Sequence, residues 1–363
     1  VSGLINACDA GREGELIFRY IVQYASTEKP IQRLWLQSMT QESIRDGFAQ
    51  LRADKAMQPL AAAARSRSEA DWLVGINGTR AMTAFNSKSG GFQLTTVGRV
   101  QTPTLAVVVE REEKIRAFVS RDYWEVHATF AAKAGDYNGR WFDEKFKKKD
   151  DEPEGRAERL WEAARAQALQ AKCDGQIGEV SEESKPTTQA PALLYDLTSL
   201  QREANSRMGL SARSTLQIAQ ALYERHKVIT YPRTDSRALP EDYIGTVQTT
   251  LKAMSKSQYG SFAQRILKEK WVKPSKRVFD NTKVSDHFAI IPTLQMPKTL
   301  NELETKLYDM IAKRFLAIFF PSAEFLQTTR ITRVQGEPFK SDGKVLVNPG
   351  WLAVYGREAQ EDD

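Results

Sequence analysis

The sequence has few cysteines, no long apolar run and no phosphate-binding loop. Cys8 and Cys173 are the only two cysteines among 363 residues, which excludes a disulfide framework and a four-cysteine zinc site within this chain. The most apolar stretch, LAIFF at 316–320, is far shorter than the roughly 20 residues that span a bilayer as a helix. No GxxxxGK followed by Ser or Thr occurs, so the chain has no P-loop for ATP. The scarcity of cysteine favours a reducing, intracellular setting.

The positive charge of the chain is concentrated in two segments. The formal net charge is +6, with 41% hydrophobic and 27% charged residues, which is ordinary for a globular chain of roughly two to three domains. Residues 185–240 hold eight Lys or Arg against four Asp or Glu, and residues 261–285 hold seven against two. Such clustering favours a polyanionic partner, nucleic acid before membrane. Solvated helix faces would give the same counts, so charge alone does not decide.

The first part of the chain has the pattern of a strand, a turn and several helices. LINACDA at 4–10 predicts a buried strand, and ELIFRYIVQY at 15–24 predicts a helix after a glycine-containing turn. Acidic residues then lie at the carboxyl end of the strand, where open α/β sheets place their sites. Residues 40–86 predict two or three helices, and a further helix is predicted at 102–117 with Thr102 as its N-cap.

The middle of the chain changes from helical to strand patterns. One apolar stripe of the helix at 102–117 consists of Leu105, Val108, Val109 and Ile115. From about residue 121 apolar and polar residues alternate (DYWEVHATF), as strands require, and GDYNGRWF at 135–142 predicts a turn. The charged run at 142–156 predicts a solvated loop, to which we assign no function.

Helical periodicity returns at 195–226 and leads into a predicted strand. Gly209 suits a helix C-cap and Ser211 suits the N-cap of the next helix, so the pattern is helix, short turn, helix. VITY at 228–231 then predicts a strand. This unit is similar to helix-turn-helix DNA-binding modules, although the pattern alone is weakly specific. After Pro297 one or two helices and further strands are predicted.

The stretch VITYPRTDS at 228–236 places a tyrosine close to an arginine. A protonated tyrosine hydroxyl is a poor nucleophile, because its reference pKa is about 10. Arg233 would supply what a tyrosine attacking a phosphate needs, since a guanidinium can hold two phosphate oxygens and stabilise the charge that develops on them. The alternative is a Tyr231 that ends a strand and packs under a turn, and these nine residues alone do not exclude it.

The stretch CDAGREGE at 8–15 places three carboxylates around a glycine-containing turn. Asp9, Glu13 and Glu15 at a strand end can bind a hard divalent ion that keeps several waters and touches phosphate oxygens. The alternative is helix capping, because Asp9 and Glu13 also suit the positive end of the following helix dipole.

Several stretches together resemble one enzyme family. DAGREGE resembles the acidic motif of the Toprim fold, and VITYPRTDS resembles the active-site tyrosine motif of type IA DNA topoisomerases. VGRVQTPTL, KPTTQAPALLYDLTSLQREAN, SDHFAIIPT and NPGWLAVY also resemble that family and follow its order along the chain. The DAGREGE variant and the proline after the tyrosine favour the topoisomerase III branch. The match covers nearly the whole chain, and the motifs are independent of one another.

The resemblance implies a role for individual residues. Tyr231 would attack a DNA phosphodiester and hold the cut strand as a 5′-phosphotyrosine, Arg233 would contact the scissile phosphate, and His287 in SDHFAIIPT would support cleavage. Asp9 and Glu13 would bind Mg²⁺. The remaining assignments place Arg99 and Gln101 in the single-strand groove. A helix N-terminus beside an arginine is a phosphate site on physical grounds as well.

The resemblance also implies a fold and partners. The expected fold is multi-domain α/β plus β: a toroid with a partial Toprim domain at 1–30, a helical single-strand-binding domain at 31–120, a β-rich arch at 121–186 and 327–363, and a helix-turn-helix-like tyrosine domain at 187–326. The expected substrates are single-stranded DNA and negatively supercoiled or catenated DNA, cut and resealed without ATP. We expect a bacterial, cytoplasmic monomer associated with the nucleoid or a plasmid, with a helicase as a further partner.

Two departures from the family pattern are expected to matter. The acidic motif usually has a second aspartate two residues after the first, and this chain has Gly11 there, which removes one metal ligand. The chain starts at Val1, within the Toprim pattern, and nothing in it matches the family's first strand with its glutamate and lysine. We therefore expect a fragment that binds single-stranded DNA and is inactive alone.

Three other kinds of DNA-binding protein are alternatives to a type IA topoisomerase. A relaxase needs clustered histidines for its metal, and His127, His226 and His287 are far apart in the sequence. A tyrosine recombinase carries several arginines and a histidine ahead of its tyrosine in a helical domain, which VITYPRTDS does not resemble. A single-stranded-DNA-binding module without catalysis is the alternative from another class.

Overall fold

The computed structural model describes residues 1–88, 90–149, 152 and 154–356. The chain divides into two compact units. Unit 1 contains residues 1–114, 191–320 and the segment that begins at Val354, and unit 2 contains residues 115–190 and 321–353. Within the described residues, no helix is both long and apolar enough to cross a membrane.

The regular elements are numbered along the chain. The helices are α1 (Arg12–Tyr24), α2 (Gln41–Ala49), α3 (Asp54–Asn86), α4 (Gln101–Arg116), α5 (Ala163–Cys173), α6 (Leu197–Met208), α7 (Ala212–Glu224), α8 (Ile244–Met254), α9 (Gly260–Lys268) and α10 (Glu302–Ala317). The strands are β1 (Leu4–Asn6), β2 (Ile31–Arg33), β3 (Arg52–Ala53), β4 (His127–Phe130), β5 (Tyr137–Trp141), β6 (Gly178–Gln189), β7 (Ala323–Val334) and β8 (Glu337–Asn348).

The N-terminal part of unit 1 is a small sheet with helices. The strands follow the order β1-β2-β3, with β1 and β2 parallel and β2 and β3 antiparallel. The predicted strand, turn and helix at the start are confirmed as β1 and α1. The helices predicted at 40–86 are α2 and α3, with the short strand β3 between them.

The predicted start of α4 is wrong by one residue. The helix begins at Gln101, and the Thr102 amide already donates to the carbonyl of Gly98 (3.1 Å) in a helical bond. Thr102 is therefore inside the first turn and is not the N-cap. Its hydroxyl still serves the helix entry, because it accepts a hydrogen bond from the Gly98 amide (3.0 Å).

The tyrosine-bearing part of unit 1 is built from α6 to α10. The predicted helix, turn and helix are confirmed: Asp196 and Ser199 form a capping box at the start of α6, Gly209 ends it at φ 68°, and Ser211 caps α7. The core between these helices includes fully buried Leu200 and Leu222. Each such side chain stabilises the unit by about 2 kcal/mol relative to an exposed one.

The predicted strand VITY at 228–231 is wrong. The segment is extended, but a single bridge, between Ile229 and Pro292, is its only ladder contact among the described residues. Thr230 is the physical reason, because its hydroxyl donates to the Ala289 carbonyl and accepts from the Ile291 amide (both 2.9 Å). The bridge itself is made by two backbone bonds, from the Thr230 amide to the Ile291 carbonyl and from the Thr293 amide to the Val228 carbonyl (both 3.0 Å). The Ile291 amide then bonds the Thr230 hydroxyl instead of continuing the ladder, and Pro292 has no amide hydrogen to extend it.

Unit 2 is an antiparallel sheet with one helix. The five strands follow the order β4-β5-β8-β7-β6, and β6 pairs with β7 along its whole length. The apolar core under α5 contains Trp141, Leu160, Leu169, Val334 and Phe339. The alternation after residue 121 is confirmed as a strand over His127–Phe130, while Trp124 makes a single bridge to Leu160.

In unit 2 the predicted turn is replaced by a strand over most of its length, and the predicted loop is described only in part. The turn predicted at 135–142 is wrong over most of its length, because Tyr137–Trp141 form β5, with the Trp141 side chain buried in the core. Only the residues before β5 turn, where Gly135 has φ 122°. The loop predicted at 142–156 lies partly outside the described residues, at positions 150, 151 and 153.

Candidate active site

The acidic turn between β1 and α1 is held in shape by close backbone packing. The Gly11 amide donates to the Asp9 carbonyl (2.8 Å), and a Cβ added at Gly14 would overlap the Asp9 backbone, so only glycine fits at position 14. The Asp9 and Glu13 side chains are exposed at the N-terminal end of α1. Their negative charge is therefore placed near the positive end of the helix dipole.

Glu15 does not belong to the open carboxylate cluster that the sequence predicts. Its side chain is fully buried and accepts hydrogen bonds from Asn6 Nδ2 (3.0 Å) and Arg19 Nε (2.9 Å). Arg33 completes this buried group. Its guanidinium donates to the carbonyl of Cys8 (2.8 Å) and to that of Asp9. Glu15 and Arg33 thus brace the turn that presents Asp9. Sequence reasoning missed Arg33, which lies in β2, a strand that the sequence pattern did not predict.

Tyr231 lies against two aromatic rings. Its own ring is half-buried, and it meets the Tyr223 ring edge-on (centroids 5.3 Å apart) and the His287 ring at a tilt (4.4 Å). Among the described residues the Tyr231 hydroxyl has no hydrogen-bond partner. Two links tie the segment to that of His287: Thr234 donates to the His287 carbonyl (3.1 Å), and Ser236 donates to the Lys283 carbonyl (2.7 Å).

His287 joins the tyrosine to the acidic turn. Its Nε2 is 3.9 Å from Asp9 Oδ2, which is too long for a direct hydrogen bond and short enough for electrostatic attraction when the imidazole is protonated. Gln37 supports this contact by donating to the Val284 carbonyl (2.6 Å). The structure therefore brings together Asp9, Tyr231 and His287 from three distant stretches of sequence.

Arg233 is exposed, two residues beyond Tyr231. No hydrogen bond or ion pair to its guanidinium is present within the described part of the chain. All of its donors are therefore available to an incoming anion, and its role at a phosphate stays a prediction.

Asp286 is a site residue that sequence reasoning missed. Its carboxylate lies where a side chain of residue 11 would lie, because a Cβ added at Gly11 would overlap both carboxylate oxygens. Burial raises the pKa of Asp286, the Asp9 and Asp235 carboxylates raise it further, and His287 and Arg12 act in the opposite direction. The signal that could have found it is its place directly before the motif histidine.

Arg99 and Gln101 lie at a separate surface cavity of about 760 Å³ in unit 1. Val97, Gly98 and Leu105 also line it, and the Arg99 guanidinium pairs with the Asp71 carboxylate. No hydrogen bond or ion pair joins these residues to Tyr231 in the described ranges. The predicted groove residues thus share one surface, apart from the tyrosine site.

The comparisons with known proteins identify the family. A DNA topoisomerase family model matches residues 55–363. The chain belongs to the type IA DNA topoisomerases. It is 42% identical to DNA topoisomerase 3 of Bacillus cereus over 370 residues and 42% identical to that of Bacillus subtilis over 366 residues. Each alignment covers 100% of this chain and 48% of the relative, so the chain spans about half the length of these proteins.

A solved topoisomerase shares the fold. Full-length topoisomerase I from Thermotoga maritima matches with a TM-score of 0.63 at 22% identity, over 96% of this chain and 54% of that one. This structure confirms the fold, while the family model and the Bacillus relatives confirm the resemblance found in the sequence, including its topoisomerase III character. The relaxase and recombinase interpretations are set aside.

The donor atoms of the acidic turn suit the magnesium that type IA topoisomerases typically use. Among the described residues, no three His, Cys, Asp or Glu side chains converge closely enough to hold a metal ion. Magnesium, however, is usually held by one or two carboxylates together with waters and substrate phosphates. The exposed carboxylates of Asp9 and Glu13 fit such a shared site, and they do not form a closed cage.

Proposed function

We propose that this chain carries the strand-cutting site of a type IA topoisomerase, which cleaves one DNA strand through Tyr231 and reseals it without ATP. The observation that carries the proposal is the meeting of Tyr231, His287 and Asp9 within unit 1. Each residue comes from a motif that the family shares. The runner-up, a single-stranded-DNA-binding module without catalysis, would need only the Arg99 surface.

Cleavage is a transesterification at one phosphodiester. The Tyr231 oxygen forms a bond to phosphorus, and the bond from phosphorus to the 3′ oxygen breaks. The tyrosine proton passes to water, and the leaving 3′ oxygen takes a proton from water to become a hydroxyl. The exposed Arg233 guanidinium donates to non-bridging phosphate oxygens and stabilises their charge. Because one ester replaces another, the bond energy is retained, and the 3′ hydroxyl reseals the strand by the reverse attack.

His287 acts beside the nucleophile. Its ring packs on Tyr231 and fixes the direction of the phenol, while Nε2 faces the Asp9 side of the site. A proton held on Nε2 is therefore placed between the acidic turn and the position of the phosphate. From there it can be donated to a phosphate oxygen.

Asp9 and Glu13 would hold Mg²⁺ together with waters and DNA phosphates. When bound, the ion supplies positive charge to the phosphate oxygens. Asp286, against Gly11, adds a further carboxylate to this edge of the site.

The finer architecture is also a proposal. The family's toroid would contain a partial Toprim domain at 1–30, a single-strand-binding domain at 31–120, an arch at 121–186 and 327–363, and a tyrosine domain at 187–326. The 42% identity to topoisomerase III proteins supports negatively supercoiled or catenated DNA as the substrate. A monomeric state and a helicase partner stay predictions.

The test is relaxation of negatively supercoiled plasmid by a longer protein that contains this chain and has the full length of its relatives. We expect relaxation that requires Mg²⁺, stops when the metal is chelated and does not change when ATP is added. Asp9→Asn should raise the Mg²⁺ concentration needed, and Asp242→Asn, whose carboxylate binds Ser38 and Thr40 in the same unit, serves as the control. Relaxation that persists without divalent ions, or that needs ATP, would contradict the proposal.

A further inference from the structure

A cavity that the cleavage mechanism does not use lies behind Tyr231. It is open to solvent on one side, has a volume of about 430 Å³, and is bordered by the end of α7, by α8 and by residues 291–295 of unit 1. Tyr223 and Tyr243 form two of its walls, and apolar residues such as Ile229 and Pro292 line the interior. Leu294, 52% exposed, stands at its rim.

Both tyrosine walls are continuous with the cleavage site. The Tyr223 ring meets the Tyr231 ring edge-on at 5.3 Å, and the Tyr243 ring packs against that of Phe288, the residue after His287, at 4.6 Å. A strand joined to Tyr231 thus has its nearest nucleotides beside this cavity. A part of that DNA strand is therefore the ligand nearest to the cavity.

The lining suits a flat aromatic ring with polar edges. Bases without their stacking partners pack on tyrosine side chains, and such contacts tolerate any base because each has a π-face. The Thr246 hydroxyl and the side-chain amide of Gln295 have no hydrogen-bond partner among the described residues, and both residues line the cavity, so these groups are available to a base edge. Burial, and then the Asp242 charge, raises the pKa of Tyr243 to about 12, which keeps its hydroxyl a donor.

The charge at the rim suits the nucleotide backbone. Lys227 lines the cavity, with its ammonium 5.6 Å from the Tyr223 ring centre. A cation there can contact the phosphate next to an inserted base. An apolar peptide side chain would fill the interior but would leave this cation unmatched.

We propose that the cavity receives one unstacked nucleobase of the strand that Tyr231 cuts. The inference rests on the proposed function and adds a subsite to it. Insertion of one base beside Tyr223 fixes which phosphate of a flexible single strand lies at the tyrosine. The cost of unstacking is small in a single strand, where no base pair is broken.

The test uses the 363-residue chain and a single-stranded oligonucleotide in which one abasic residue is moved along the strand. Stacking of one base is worth about 1–3 kcal/mol, so one position should weaken binding about 5-fold or more. Thr246→Phe fills the cavity and should bind intact and abasic strands alike. The matched control is Thr249→Phe on the exposed face of α8, which should retain the abasic penalty.

A second variant guards against misfolding of the first. Leu294→Trp covers the mouth from an exposed position and should remove the same abasic penalty, with circular dichroism confirming that each variant is folded. If the wild-type chain binds every abasic strand equally, or if its penalty persists in both variants, the inference is overturned. A chain that binds no single-stranded DNA at all would instead contradict the proposed function.

Discussion

Gly11 and Asp286 share one small volume at the acidic turn. The backbone of Gly11 is extended (φ −161°, ψ −175°), a conformation open to any residue, so a larger residue is disfavoured here by the Asp286 carboxylate and not by the backbone. The sequence predicted that Gly11 removes a carboxylate from the motif. The structure adds that a carboxylate from another segment occupies the place.

Gly11→Ala should therefore destabilise the chain by about 1 kcal/mol, because the added methyl group must displace the Asp286 carboxylate. In an Asp286→Ala background the same change should cost almost nothing, since the space is then open. Urea unfolding of the four chains gives the coupling directly. Equal losses in both backgrounds would show that the overlap has no energetic effect.

At the Arg99 surface we expect a purely electrostatic effect. Arg99→Ala should flatten the dependence of log affinity for single-stranded DNA on log salt by about 0.7, the contribution of one phosphate contact. Asp71→Asn is the control: it removes the ion-pair partner of Arg99 and should strengthen binding without flattening the slope. An unchanged slope in the alanine variant would place Arg99 outside the DNA path.

At the scale of elements, local signals predicted α6 and α7 well. Their ends are set by short-range caps, with Gly209 at φ 68° and Ser211 accepting from the Ser214 amide (3.1 Å), so the sequence contains the information. The prediction of a strand at 228–231 was wrong because the ladder ends after one bridge, where the Ile291 amide bonds the Thr230 hydroxyl. The stripe on α4 was predicted, but its four residues are exposed, since burial depends on what packs against a helix.

The cap at Gly209 leads to an element-scale prediction. Gly209→Ala should destabilise the chain by about 1 kcal/mol, because an alanine is strained at positive φ even with no atom nearby. Gly245→Ala, in the first turn of α8 and also free of close neighbours, should stabilise by about 0.5 kcal/mol. The midpoints of thermal unfolding of the two variants should shift in opposite directions relative to the wild-type chain. Shifts of the same sign would contradict the account of the cap.

At the scale of the whole molecule, the site depends on contacts between residues far apart in sequence. Asp9 lies near the start of unit 1 in sequence and His287 lies in its last part, yet their side chains are 3.9 Å apart. No local sequence pattern predicts such a contact. The family resemblance named Tyr231, His287 and Asp9, because each lies in a motif. It missed Arg33, whose hydrogen bonds only the fold reveals. It also missed Asp286, which lies in the motif of His287 but whose position against Gly11 no motif shows.

The most direct measurement of the central claim is the end of the DNA that becomes attached to the protein. The experiment uses a longer protein that contains this chain and has the full length of its relatives. It is mixed with a single-stranded oligonucleotide labelled at its 3′ or 5′ end, and the mixture is then denatured. A 5′-phosphotyrosine on Tyr231 retains the 3′ label and releases the 5′ label. Tyr231→Phe should abolish the adduct while binding the strand within about twofold, since only one hydroxyl is lost, and Tyr223→Phe should keep it. An adduct that survives in Tyr231→Phe, or that retains the 5′ label, would contradict the account.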